Sequence, residues 1–275
     1  MATWVTAIAN QKGGVGKTTT AVNLAACLAE AGKRVLLVDL DPQANATSGL
    51  GLRKTPGASL YRSLVGGEPA ASFIQPTTVP GLMIIPSEID LAGCEIEIAR
   101  AENYLHRLRG TLAPVRDTGQ FDFIILDCSP SLGILTMNVL AAADSVVIPL
   151  QCEYYALEGL TVMTKLIDQL RTSGTNPGLH LEGIVMTMYD MRTNLSQQVV
   201  QEVIGHFGER VYETVVPRNI RLSEAPSFGQ PIIQYNATCS GAAAYRQLAR
   251  EFIGRRADAD EMAQPESVSL EATQE

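Results

Sequence analysis

The chain has 275 residues, 46% hydrophobic and 18% charged, which suits one large α/β domain with ample material for a core. Its five cysteines (Cys27, Cys94, Cys128, Cys152, Cys239) form no C-x-x-C pair and, with no signal peptide, read as reduced thiols in a cytosol; no apolar stretch approaches the ~20 residues that span a bilayer. The net charge of −8 argues against a nucleic-acid partner only as a sum, because six of those negative charges lie in residues 257–275, which hold no Lys or Arg.

In chain order, residues 3–9 (Thr-Trp-Val-Thr-Ala-Ile-Ala) form an apolar run suited to a buried strand. Residues 11–19 then read Gln-Lys-Gly-Gly-Val-Gly-Lys-Thr-Thr, and the tail Gly16-Lys17-Thr18 is the end of a P-loop. Such a loop offers backbone N–H groups to phosphates, a lysine to the β/γ oxygens and a hydroxyl to Mg²⁺. An ordinary P-loop has glycine six residues before that lysine. Here the position is Gln11, with Lys12 beside it. A second ammonium in the loop needs an anion or water, so packing does not account for it. Leu24, Leu28 and the surrounding alanines continue as a helix over 17–31, closed by Gly32. Strand, glycine loop and helix N-terminus in that order are what phosphate capture requires.

Strand 34–39 ends in Asp39-Leu40-Asp41-Pro42-Gln43. Alternation directs Asp39 and Asp41 to the same side, at the carboxyl edge where open α/β sheets hold ligands. A carboxylate there orients water or binds Mg²⁺ through water; the plainer alternative is a turn or helix-capping aspartate before Pro42. Residues 41–81, rich in Gly, Pro, Ser and Thr, predict irregular connection with short helices. A strand at 82–86 and a helix over 88–109 follow. Phe123-Ile124-Ile125-Leu126-Asp127 closes a strand at 122–127 in the form of a Walker B segment, whose aspartate holds the metal's water shell beside the Thr18 hydroxyl. Helices over 133–142, 156–172, 195–206 and 240–255 then alternate with strands at 145–150, 181–187 and 211–216.

This alternation predicts a single-domain α/β fold of the P-loop type, a twisted, mostly parallel sheet with helices on both faces. The domain is expected over residues 1–256, with 257–275 a polar, acidic tail that composition marks as disordered. With nine residues before the phosphate loop, no appended helix-turn-helix domain is expected. Helix 240–255 aligns Tyr245, Leu248, Ala249, Phe252 and Ile253 on one stripe; core packing is favoured over a membrane-surface role because an acidic tail follows. Tyr154 and Tyr155, after a strand end, fit either core or interface. His106, His180 and His206 are isolated and suggest neither a metal site nor a triad.

Lys12-Gly13-Gly14-Val15-Gly16-Lys17-Thr18-Thr19, Asp39-Leu40-Asp41-Pro42-Gln43 and Asp127-Cys128-Ser129-Pro130-Ser131-Leu132-Gly133 together resemble the deviant-Walker ATPases. More narrowly they resemble the ParA/Soj chromosome-partitioning family, a match strengthened by Val216-Pro217-Arg218-Asn219 and Glu224-Ala225-Pro226-Ser227-Phe228-Gly229 and covering roughly residues 4–253. One departure is visible: the family usually has two prolines after the Walker B region, where this chain has Ser129-Pro130.

The resemblance implies a slow, partner-stimulated ATPase with ATP and Mg²⁺ as cofactors. Lys12 to Thr19 would wrap the nucleotide's phosphates, and Pro217 and Asn219 would border the adenine. Thr18, Asp41 and, through water, Asp127 would serve Mg²⁺. Lys17 would act in cis and Asp41 would position the attacking water. Lys12 would reach the phosphates of a second copy in an ATP-bound sandwich homodimer. The family further implies sequence-independent binding of that dimer to double-stranded DNA, through Arg192 and Arg221 with Arg218 as a weaker addition. It also implies a ParB-type partner and a cytoplasmic, nucleoid-associated location without a membrane partner. Two other readings are a membrane-associated, MinD-like positioning ATPase and a metabolic or cargo-positioning relative without DNA. Cys94 and Cys128 invite comparison with the nitrogenase iron protein, but the glycine-rich cysteine contexts of its cluster are missing.

Overall fold

The computed structural model describes residues 2–154 and 156–263. Its first half contains β1 (Trp4–Ile8), α1 (Lys17–Glu30), β2 (Val35–Leu40), α2 (Asn45–Gly49), α3 (Tyr61–Gly66), β3 (Gln75–Pro76), β4 (Leu82–Ile85), α4 (Leu91–Ile98), α5 (Arg107–Asp117) and β5 (Phe123–Cys128). The second contains α6 (Ile134–Ala142), β6 (Ser145–Gln151), α7 (Ala156–Thr172), β7 (His180–Tyr189), α8 (Asn194–Phe207), β8 (Val211–Pro217), α9 (Ile220–Glu224), α10 (Ile232–Tyr235) and α11 (Ser240–Ala263). The strands form one sheet in the order β3-β4-β2-β5-β1-β6-β7-β8. Every pairing is parallel except the short β3 against β4.

Strand alternation feeds two cores. Leu36, Val38 and Leu40 of β2, with Ile124 and Leu126 of β5, face one layer; Val35, Leu37, Phe123 and Ile125 face the other. Burial on both faces explains why these strands read as continuous apolar runs. The second layer is closed by α1 and α11. Tyr245, Leu248, Ala249 and Phe252 are buried there, and Phe252 meets Phe123 edge-on with ring centroids 5.3 Å apart. The apolar stripe of α11 is therefore core, as the sequence predicts. Among the described residues no helix is long and apolar enough to cross a membrane.

Two boundaries differ from expectation. The predicted helix 88–109 is two helices, α4 and α5, and α5 runs on through Pro114 to Asp117. Asn138 of α6 is the physical reason: its side chain donates to the Tyr104 carbonyl (2.7 Å) and accepts from the Leu108 N–H (3.2 Å). Those tertiary bonds satisfy the backbone where a continuous helix would otherwise run, and Asn103 turns left-handed at φ 57°. The acidic segment expected to be disordered from residue 257 instead begins as helix, since α11 continues to Ala263. The remainder of that expectation, residues 264–275, lies outside the described residues.

Candidate functional site

The loop between β1 and α1 meets the steric demands of its glycines. Gly14 and Gly16 have φ of 73° and 88°, a left-handed region that strains any residue with a Cβ. Gly16 caps α1 without a side chain, so the first-turn N–H groups remain open to an anion. Neighbouring strands hold the loop in place. Asn10 accepts from the Lys12 N–H (3.0 Å) and donates to the Pro149 carbonyl (2.8 Å), while the Thr187 hydroxyl donates to the Val15 carbonyl (2.8 Å).

The two lysines behave differently. Lys17 is buried and its Nζ folds back to donate to the Lys12 carbonyl at 2.8 Å. Burial lowers its pKa, against the opposing pull of Cys128, Asp127 and Asp41. The Lys12 side chain is 38% exposed and pairs with Glu153 Oε2 at 2.7 Å.

Three carboxylates converge at the carboxyl edge, and each has a separate state. Asp39 accepts from the Thr47 N–H (2.8 Å), the Thr47 hydroxyl (2.7 Å) and the Asp41 N–H (3.2 Å). Burial nevertheless pushes its pKa up to about 6. Its bonds all serve the fold. Asp41 accepts from the Gln43 N–H at 2.9 Å, and the chain then turns through Ala44, held left-handed at φ 53°. Asp127 lies in register beside Asp39, with both carboxylate oxygens buried and without a hydrogen-bond partner. Burial, then Asp39, raises it well above the usual carboxylate range; Thr18 is near enough to pull the other way but falls short of a formed hydrogen bond. A buried carboxylate with no donor is costly, and a divalent cation with its water shell is the group that would satisfy it. Thr18, Asp41 and Asp127 form an all-oxygen donor set that fits such an ion.

Beside the loop a cavity of about 710 Å³ is lined by Gly16, Thr19, Thr187, Pro217, Asn219 and Tyr245, among others. It unites the phosphate loop with the predicted adenine border. The Asn219 side chain is already engaged, accepting from the Arg221 N–H (2.8 Å) and donating to Ser240 (2.8 Å). Met188, also in the wall, is left-handed at φ 52°, a strained backbone of the kind that clusters at ligand sites. Arg192 and Arg218 line the same cavity, whereas Arg221 does not. After β5, the departing segment is stitched locally, Ser129 to Ser131 by their hydroxyls (2.8 Å) and Thr136 to the Ser131 carbonyl (2.6 Å).

Sequence reasoning missed Asn10, Glu153, Thr187 and Met188. Asn10 adjoins the loop and its short polar side chain was the available signal. Glu153 and Thr187 meet the loop across more than a hundred residues, so only the fold reveals them. Tyr154 is exposed; Tyr155 lies outside the described residues. Cys94 and Cys128 are both buried free thiols raised by desolvation, Cys94 to about 12.

A family model, AAA_31, described as an AAA domain, matches residues 3–181. Chromosome partitioning protein ParA of Caulobacter vibrioides is 50% identical over 255 residues, covering 92% of this chain and 95% of that protein. Sporulation initiation inhibitor protein Soj of Bacillus subtilis is 53% identical over 248 residues, covering 90% and 97% respectively. Among solved structures, cobyrinic acid a,c-diamide synthase from Mycobacterium smegmatis, with bound ATP analogue and magnesium, superposes with a TM-score of 0.81 at 36% identity, covering 94% of this chain and 97% of that one.

Proposed function

This chain belongs to the ParA/Soj family of chromosome-partitioning ATPases, and on that premise we propose a nucleotide-gated dimer that grips DNA and lets go on hydrolysis. ATP enters with its phosphates on the loop and its adenosine in the cavity bordered by Pro217 and Asn219. Thr18, Asp41 and, through water, Asp127 would hold Mg²⁺, which would neutralise charge at the phosphoryl oxygens. Lys17 leaves the Lys12 carbonyl for the β/γ oxygens of its own nucleotide. Asp41, with one oxygen committed to the Gln43 N–H, uses the other to orient the attacking water.

One observation carries the reading: the two lysines part company. Lys17 is buried over its own loop, and Lys12 leaves the loop for a partly exposed carboxylate, Glu153. That division supports a cis role for the first and a trans role for the second. A cation donated across the interface neutralises charge that develops only during phosphoryl transfer, so pairing and hydrolysis become one event. Turnover is slow, because a switch needs long-lived states, and a ParB-type partner accelerates it.

DNA binding follows from the same assembly. Arg192, Arg221 and, more weakly, Arg218 contact phosphates, which gives affinity without base preference and a steep loss with salt. Two such patches on one rigid dimer bind at high effective concentration. The MinD-like alternative loses its best candidate for a membrane face, since the apolar stripe of α11 is core. Asp41→Ala tests the chemistry: nucleotide binding should survive, hydrolysis should fall by about 100-fold or more, and an ATP-bound dimer should accumulate in size-exclusion chromatography. Hydrolysis at the parental rate would remove Asp41 from its role.

A further inference from the structure

The arginines of the DNA surface differ in how their charge is held. Arg192 forks onto Asp190, with Nε to Oδ1 at 2.8 Å and Nη2 to Oδ2 at 2.7 Å, and its backbone N–H donates to Oδ1 at 3.1 Å. Arg221 pairs with Glu224 Oε2 at 2.7 Å, an oxygen that also accepts from the Tyr235 hydroxyl at 3.0 Å. Arg218 has no ion pair among the described residues; its backbone N–H donates to the Tyr189 carbonyl.

The acids are not the caps of the neighbouring helices. The N-terminus of α8 is capped by the Thr193 side chain, which accepts from the Ser196 N–H, and that of α9 by Asn219. The Arg192 side chain is 83% exposed against 18% for Asp190, and that of Arg221 49% against 35% for Glu224, so the guanidinium end of each pair is open to water and the pair contributes modestly to stability. Yet each acid occupies guanidinium donors that a phosphate would otherwise take.

We propose that Asp190 and Glu224 are built-in attenuators of DNA affinity, counter-ions that a phosphate must displace before it can claim Arg192 or Arg221. This rests on the DNA reading above and deepens it. When an arginine moves from carboxylate to phosphate, the carboxylate is left bare beside a polyanion and recruits a cation from solution. The counter-ion released by the phosphate is thereby partly taken back. Binding is weaker, and less salt-dependent, than the number of arginines alone would give. A partitioning protein that must detach after each cycle is served by such an arrangement. Because Arg192 lines the nucleotide cavity, the Asp190 pair also sits beside the group that controls assembly.

The test uses Asp190→Asn with Glu224→Gln in the full chain, since the amides keep hydrogen bonding and lose only charge. ATP-loaded protein is titrated with a mixed-sequence DNA duplex across a salt series, next to an Arg192→Glu, Arg221→Glu variant. The acid-to-amide protein should bind about tenfold tighter at low salt. Its plot of log affinity against log salt should steepen by up to about 0.9 for each arginine set free. Unchanged affinity and slope, or weaker binding, would overturn the attenuator role provided the arginine-reversed variant has lost DNA. If the arginine-reversed protein retains DNA as the parent does, the DNA surface itself is misassigned and the attenuators fall with it.

Discussion

Asp127 and Glu182 are both buried acids on the same sheet, at opposite edges, and their surroundings push them in opposite directions. Asp127, at the carboxyl end of β5, has no hydrogen-bond partner, and burial with Asp39 beside it raises its pKa well above the usual range. Glu182, near the start of β7, would be raised by burial too, but His180, Arg256 and Ser145 outweigh that and hold it below the usual range. His180 Nε2 and Arg256 Nη1 stand 3.3 and 3.5 Å from Oε2, at ion-pair distance without aligned hydrogen bonds. Arg256 also covers the Trp4 ring at 3.5 Å, and Arg255 the Tyr212 ring at 4.1 Å. The amino edge thus supplies counter-charge to its buried acid from within the fold, although Glu182 Oε2 and the Tyr212 hydroxyl form no hydrogen bond there. At the carboxyl edge the nearby cation, Lys17, does not outweigh burial and Asp39, and neither Asp127 oxygen gains a hydrogen bond, an imbalance of the kind that marks candidate ligand sites.

The contrast can be broken from either side. The largest effect is expected at Lys17→Ala, which should cut nucleotide affinity by about 100-fold or more in a fluorescent-nucleotide titration. A change under about threefold would mean that the loop does not cradle phosphates. Next comes Arg256→Met at the other edge. It strands the Glu182 carboxylate, so chemical denaturation should show a loss of about 3 kcal/mol while nucleotide affinity stays at the parental value. Asp127→Asn should act with the opposite sign. Removing a carboxyl whose burial no hydrogen bond offsets should stabilise the ligand-free protein by about 1–2 kcal/mol and weaken Mg²⁺-dependent nucleotide binding. Destabilisation of the ligand-free protein by that change would refute the idea of an unfinished edge.

The smallest effect concerns pH. A carboxyl held below its ordinary value contributes stability that is fully present above that value, near 4.5, and is lost as pH falls through the folded pKa. Glu182→Gln should therefore flatten the acid limb of the stability curve below about pH 4, by on the order of 1 kcal/mol. An acid limb identical to the parent's would show that Glu182 is not held as described.

What the sequence made legible was chemistry tied to local spacing. The placement of Lys12, Lys17, Thr18, Asp41 and Asp127 around one sheet edge was readable because strand ends and a glycine loop leave few positions for the groups they carry, while their roles stay proposals. The apolar runs of β2 and β5 were equally plain, since both faces of each strand are buried. Contacts between distant segments were not legible. Asn138 splits the predicted helix 88–109 from α6, and Glu153 reaches Lys12 from the end of β6. Propensity carries no record of either. The Glu182–Arg256 pair is hidden for the same reason, because its members lie on β7 and α11. Asp190 and Arg192 are different: they are two residues apart, and an Asp-x-Arg step was there to be read as a self-paired arginine.

The most direct test is Lys12→Ala, followed by sedimentation for assembly and phosphate release for turnover, both with saturating ATP and Mg²⁺. With Lys17 in place, nucleotide should still bind, yet the protein should remain monomeric and hydrolyse at background. A Lys12→Ala protein that dimerises on ATP and turns it over at the parental rate would contradict the trans role of this lysine and with it the coupling of pairing to hydrolysis.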